Sequence, residues 1–224
     1  FHSIFTYPDG TAVETIDGRN PYLHQVSIGN PGFTVSPEGR SAMLRQWRAL
    51  LRAKEHLTVD VAASLILHGE EGALQVPVER PNPYRATLGD GDAIVQQRDG
   101  WFFCLSALTR PIPEVRWGED RQNMVSLFHE STGLILGGGN TNLAPRWSTF
   151  TVGDPSLLYH RPGDIDPKFL PPPGIFHVPT RAALLNDGNA VSLIYGEEEC
   201  KVEVQLAGPN QAPLAYSTAG KMHK

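Results

Sequence analysis

Cysteine is scarce in this 224-residue chain, which has only Cys104 and Cys200. Two cysteines do not make a disulfide framework. Both stand in strand-like apolar runs and read as buried thiols that pack as small hydrophobes, with pairing between them left open. Cations are outnumbered too: 19 Lys and Arg face 24 Asp and Glu, for a net charge of −5. That balance argues against a general nucleic-acid binder, whose affinity rests on clustered Lys and Arg. It leaves room for a local basic groove that takes an acidic sugar. No apolar run reaches the ~18 residues of a membrane span. No signal-peptide pattern is present, and the chain opens on Phe1 as if in mid-structure. A fragment of a longer protein is the expectation, periplasmic or secreted if the parent carries a signal peptide.

The common chemical motifs are missing as well. No Gly-x-Gly-x-x-Gly follows a strand and opens a helix, so a dinucleotide site has no support. The glycine run Gly137-Gly138-Gly139 has no Lys-Ser/Thr after it and is not a P-loop. There is no Gly-x-Ser-x-Gly elbow, no Cys-x-x-Cys and no His-x-x-x-His. His129-Glu130 ends a strand beside a turn, and no further ligands join it in the sequence. Neither a cofactor nor a metal is expected.

What the chain does have is glycine, 22 residues, and proline, 19, beside a hydrophobic content of 40%. That is enough apolar material for a core, in a loop-rich β protein. The stretch Asn123–Thr141 reads as two strands, Met124–His129 and Gly133–Leu136, joined by the polar turn Glu130-Ser131-Thr132-Gly133. This hairpin is expected at the centre of an antiparallel sheet. Ala93–Arg98 and Trp101–Leu108 form a second hairpin around Asp99-Gly100. Further strands are expected at Val115–Trp117, Trp147–Val152, Gly174–Val178, Ala190–Tyr195 and Cys200–Leu206, with turns at Asn186-Asp187-Gly188 and Gly196-Glu197. Strands spaced this way without helices between them imply an antiparallel sandwich.

Before residue 80 the grammar differs. Ser36-Pro37-Glu38 opens a helix, along which Met43, Trp47, Leu50 and Leu51 share a stripe and Arg45, Arg48, Arg52 and Lys54 take other faces. Thr58 and Asp60 start a second helix, with Val61, Ala62, Leu65 and Ile66 expected inward. The whole is read as α+β: residues 1–80 an irregular lead-in and a helical hairpin, residues 85–224 a large antiparallel β-sandwich. The lead-in breaks at Pro8-Asp9-Gly10, Asp17-Gly18 and Asn20-Pro21, and it gathers Glu14, Arg19, Asn20, Tyr22 and His24. Irregular segments of this length tend to be functional. The proline-rich insertion Gly153–Pro173, with Tyr159, His160 and Arg161, reads as a stiff crossover. Trp101, Trp117 and Trp147 read first as core and second as a sugar-stacking platform.

Two of these stretches resemble a known family. Tyr7-Pro-Asp-Gly-Thr-Ala-Val-Glu14 followed by Tyr22 is similar to the late end of the helical toroid in heparinase II/III-like polysaccharide lyases. Ser126-Leu-Phe and Gly133-Leu-Ile-Leu-Gly-Gly-Gly look like strands of that family's β-sandwich. The resemblance implies β-elimination at a uronic acid of an acidic polysaccharide, with Tyr22 matching the catalytic tyrosine. A free phenol titrates near ~10 and needs nearby positive charge to act as a base, which Arg19 is placed to supply. Asn20, His24 and Glu14 are the candidate substrate contacts. The family's His-x-Asp-like element is replaced here by Glu119-Asp120-Arg121-Gln122-Asn123, so zinc is not implied. A helical domain preceding this chain is implied as partner. Two other readings stand beside it: a non-catalytic carbohydrate- or protein-binding sandwich, and a structural domain with an exposed apolar face on its helices.

Overall fold

Short polar residues start both helices. Ser36 Oγ accepts from Gly39 N at 3.0 Å at the head of α1 (Pro37–Arg52). Thr58 Oγ1 accepts from Val61 N at 3.4 Å at the head of α2 (Val59–His68). Each side chain satisfies an amide that the first helical turn leaves without a partner. The computed structural model describes residues 4–11, 13–16, 31–52, 54, 56–75, 80–109, 123–137, 149–154, 173–176, 178–209, 211–212 and 214–220. These form two helices followed by antiparallel sheets of five, two and four strands, an α+β arrangement. The chain divides into two units, Phe1–Ala12 with Leu23–Pro81 and Val13–Tyr22 with Asn82–Lys224.

In the helical unit, Met43 and Leu50 of α1 are buried, and Leu57, Val61 and Leu65 pack against them. Ile66 was expected to face inward with Val61 and Leu65, but it is 83% exposed. The two positions have different neighbours although they are adjacent in sequence. Val61 and Leu65 are four residues apart and share the stripe that meets α1, whereas Ile66 lies a further 100° around the helix.

In the other unit, β1 (Tyr84–Leu88), β2 (Ala93–Arg98), β3 (Trp101–Ser106), β4 (Val125–His129) and β5 (Gly133–Leu136) pair in sequence order. Asp99 (φ 50°) and Gly100 (φ 83°) make the tight turn between β2 and β3, where two positive φ values match the strand twist. The central strand is therefore β3. The β4–β5 hairpin, expected at the centre, lies at one side with β5 on the edge. Its register shifts at Leu127/Phe128, an irregularity typical of sheet margins.

Short β6 (Val152–Gly153) and β7 (Ile175–Phe176) pair with each other. They are all the strand seen where Trp147–Val152 and Gly174–Val178 were expected, among the described residues. The last sheet runs β11 (Leu214–Thr218), β10 (Glu198–Val204), β9 (Ala190–Tyr195), β8 (Arg181–Leu185). Strands β1, β8 and β11 had no counterpart in the sequence reading. Each is half-buried at alternate positions and exposed at the others, and each gains its identity from the strand it pairs with.

Alternation sorts the five-stranded sheet into two faces. One presents Ile94, Phe103, Leu105, Val125 and Leu127. These join Val191, Leu193, Tyr195, Val202 and Val204 of the four-stranded sheet in a single buried cluster. Arg85 reaches Asp187 at 2.9 Å and Gln96 reaches Asn189 at 3.0 Å, tying the first sheet to the turn between β8 and β9. The opposite face presents Val95, Phe102, Cys104, Ser106, Ser126 and Phe128, all buried as well.

Candidate functional site

The second face of the five-stranded sheet carries polar groups in an apolar setting. Cys104 and Ser126 stand opposite each other in the β3–β4 register, so their side chains share that face. Both are fully buried. The lead-in segment supplies their partners. Residues 13–16 turn on a bond from Ile16 N to Val13 O, 3.2 Å. Val13 is buried, and the turn places Glu14 and Thr15 against the sheet. Glu14 is 2% exposed. Ser126 Oγ donates to Glu14 Oε1 at 2.9 Å, across 112 positions of sequence. Thr15 Oγ1 lies 3.2 Å from the same serine oxygen.

Gly137 completes the arrangement at the end of β5. Its φ of +127° disfavours a side chain, and a Cβ there would run into Glu14 Oε1 and crowd Ser126 Oγ. Here the glycine is required for close approach to a carboxylate. Gly138 and Gly139 lie outside the described residues.

Cys104 beneath this cluster is not a nucleophile. Burial pushes its thiol up to about 12. The Thr15 hydroxyl offsets part of that, and the Glu14 charge adds to it. Thiolate chemistry at neutral pH needs the opposite environment. Cys104 and Cys200 are both free.

A cavity of about 100 Å³ opens on the other side of Gly137, with Asn123, Thr149 and Tyr216 among its polar walls and Val125 and Leu136 among its apolar ones. Thr149 Oγ1 is engaged by Met124 N at 2.7 Å. The Asn123 side-chain nitrogen is buried and has no hydrogen-bond partner among the described residues. Burial also pushes the Tyr216 phenol up to about 12, so it stays a neutral hydroxyl.

Of the candidate site residues in the lead-in, Glu14 lies among the described residues. Arg19, Asn20, Tyr22 and His24 lie outside the described residues, as do Trp117, Trp147, Tyr159, His160 and Arg161. The expected turn at Pro8-Asp9-Gly10 is present: Asp9 Oδ1 accepts from Thr11 N at 2.9 Å and from its hydroxyl at 2.6 Å, and Gly10 takes φ 94°. Trp101 donates its indole N–H to Pro209 O at 2.9 Å and meets His129 edge-on at 4.6 Å. His129 Nδ1 is engaged by Ser131. No cluster of three or more His, Cys, Asp or Glu able to hold a metal occurs among the described residues.

In the sequence Ser126 reads as part of a strand and is not linked there to Glu14. The signal was available. Ser126 is the one polar residue in Met124-Val-Ser-Leu-Phe128, and a buried hydroxyl requires a partner. Comparison with known proteins adds no relative: no family model, no curated protein and no solved structure matches the chain.

Proposed function

We propose that this chain is the C-terminal part of a polysaccharide-lyase-like protein that cleaves a uronic-acid-containing polysaccharide by β-elimination. On this reading the five- and four-stranded sheets are the layers of an antiparallel β-sandwich. The helices are the end of a helical toroid. The observation that carries it is the junction of Glu14, Ser126 and Gly137. The two stretches through which the chain resembles heparinase II/III-like lyases are far apart in sequence, and they meet at one buried hydrogen bond. A chance likeness of two short motifs gives no reason for such a meeting.

In the proposed reaction Tyr22 takes the proton beside the uronate carboxylate and returns one to the leaving oxygen. The Arg19 cation favours the phenolate, while Asn20 and His24 neutralise the substrate carboxylate. Glu14 takes a different part from the direct contact first expected of it. With its carboxylate buried on Ser126, it anchors the turn of residues 13–16 to the sheet, a structural part in the same segment of chain as Tyr22. The exposed apolar residues Val59, Ile66 and Leu67 of α2 support a helical partner domain packed on that helix.

The test is absorbance of unsaturated chain ends after incubation with heparin, alginate and polygalacturonate, using the full-length parent protein. Activity that Tyr22→Phe abolishes supports the reading. Silence on every polymer counts heavily against it. Glycan binding that survives Tyr22→Phe, without any elimination, favours a binding module instead.

A further inference from the structure

Helix α1 separates its arginines into two kinds. Arg40 is engaged: its guanidinium donates to Ala73 O at 2.9 Å and to Thr34 O at 2.6 Å, and it lies against Gly72. Arg45, Arg48 and Arg52 are exposed and have no ion pair or hydrogen bond among the described residues. Their spacing of three and then four residues puts all of them within about 60° of one another around the helix, along a line of roughly 10 Å. The next arc of the helix carries Trp47, 37% exposed, and Leu51, 56% exposed. Beyond that lies the buried arc of Met43 and Leu50.

We propose that this stripe is a docking line for a linear acidic polysaccharide, with the three guanidinium groups taking successive carboxylate or sulfate groups and Trp47 lying beside a sugar ring. The inference rests on the acidic-polysaccharide reading above and extends it to a second place on the molecule.

Charge complementarity selects the occupant. Exposed cations in a row match a polyanion whose charges also come in a row. Arginine presents a planar fork that grips a carboxylate or sulfate with two parallel bonds. A helix lying on a lipid surface would instead carry its cations on both flanks of the apolar stripe. Here the cations take one flank, and packing against the helical unit takes the other.

The test measures binding of the full chain to heparin and to polygalacturonate by calorimetry at low and moderate salt. Vesicles of phosphatidylglycerol and phosphatidylcholine serve as the membrane arm. Three exposed pairs, each of modest strength, multiply to roughly a tenfold loss of affinity in the variant combining Arg45→Gln, Arg48→Gln and Arg52→Gln. Added salt weakens the wild type more than this variant. Arg181→Gln removes one charge from the exposed end of β8 and leaves affinity within about twofold. If the combined variant loses helical circular dichroism, the single variants each show about a two- to threefold loss. Equal affinity of wild type and combined variant overturns the proposal, and so does binding to vesicles without binding to either polymer. Tyr22→Phe separates this proposal from the elimination reading. Stripe-dependent binding with no unsaturated product leaves the docking line standing and removes the lyase.

Discussion

Strand β3 and helix α2 are both mainly apolar, and their fates differ. Trp101-Phe-Phe-Cys-Leu-Ser106 is buried at five of six positions. Val59-Asp-Val-Ala-Ala-Ser-Leu-Ile-Leu-His68 has no buried residue at all. The strand is paired on both edges and covered on both faces. One face packs in the cluster shared with the four-stranded sheet, and the other lies in the layer that holds Glu14 and Ser126. Within its unit the helix meets the segment Pro31–Val35 and turns Val61 and Leu65 toward Met43 and Leu50 of α1, and its other side stays exposed. Hydrophobic content thus states a demand for burial, while topology decides how much of that demand is met.

The sharpest way to break the contrast is Phe103→Ala. The ring is fully buried in the larger cluster. Its loss removes transfer free energy and leaves a void, for a cost of about 3–5 kcal/mol. Urea unfolding measures it. A cost near 1 kcal/mol would mean that the cluster is loosely packed and that β3 is no better held than α2.

Alkaline pH probes the same difference without mutation. The Cys104 and Tyr216 protons are held more tightly in the folded chain than in the unfolded one, because burial raises both values to about 12 from 9.0 and 10.0. A raised folded value means that the unfolded state loses its proton first as pH rises. The contribution of each group is whole below its unfolded value and is lost on the way up to the folded one. Stability is therefore expected to fall between about pH 9 and pH 12. Cys104→Ala flattens the lower part of that fall and Tyr216→Phe the upper part. Denaturant midpoints across the range check it, and a profile unchanged by either substitution would rule these groups out.

The junction of lead-in and sheet comes next in size. Glu14→Ala leaves Ser126 Oγ buried beside an empty acceptor position, at a cost of about 1–3 kcal/mol. Gly137→Ala is expected to act at the same place from the other side, since its methyl meets the carboxylate. Two substitutions on one contact should not add: the double variant should cost less than the sum. Strict additivity in a double-mutant cycle would show that glycine and carboxylate act separately.

What could be read in the sequence follows the same physics. The helix caps, the Asp99-Gly100 turn and the hairpins were legible because they depend on neighbouring residues alone. The strands β1, β8 and β11 were not. Arg181-Ala-Ala-Leu-Leu185 has no β-branched residue and would suit a helix. It is a strand because β9 offers it a register from Arg181 to Leu185. The place of the β4–β5 hairpin at the side of its sheet was hidden for the same reason, since strand order is a property of the assembled sheet. In the candidate site, Glu14 was visible as a residue of interest but not as a buried one. A carboxylate in a polar loop gives no sign of its burial until the serine that receives it is known.

The smallest expected effect tests the helix side of the comparison. On α2, Val61 and Leu65 form the stripe packed toward Met43 and Leu50. Val59, Ala63, Ile66 and Leu67 form a second stripe at spacings of four, three and one, and it is exposed. A helix apolar on two sides has the pattern of one packed on two sides, yet in this chain only the first stripe is covered. Ile66→Ser with Leu67→Ser should therefore change the unfolding free energy by within about 0.5 kcal/mol, whereas Leu65→Ser should cost several times more. The paired measurement is self-association: the double variant should be more soluble and less concentration-dependent in sedimentation, because a contiguous apolar patch is removed. A double variant as destabilised as Leu65→Ser would mean that the second stripe is already buried in solution, and α2 would then differ from β3 in degree alone.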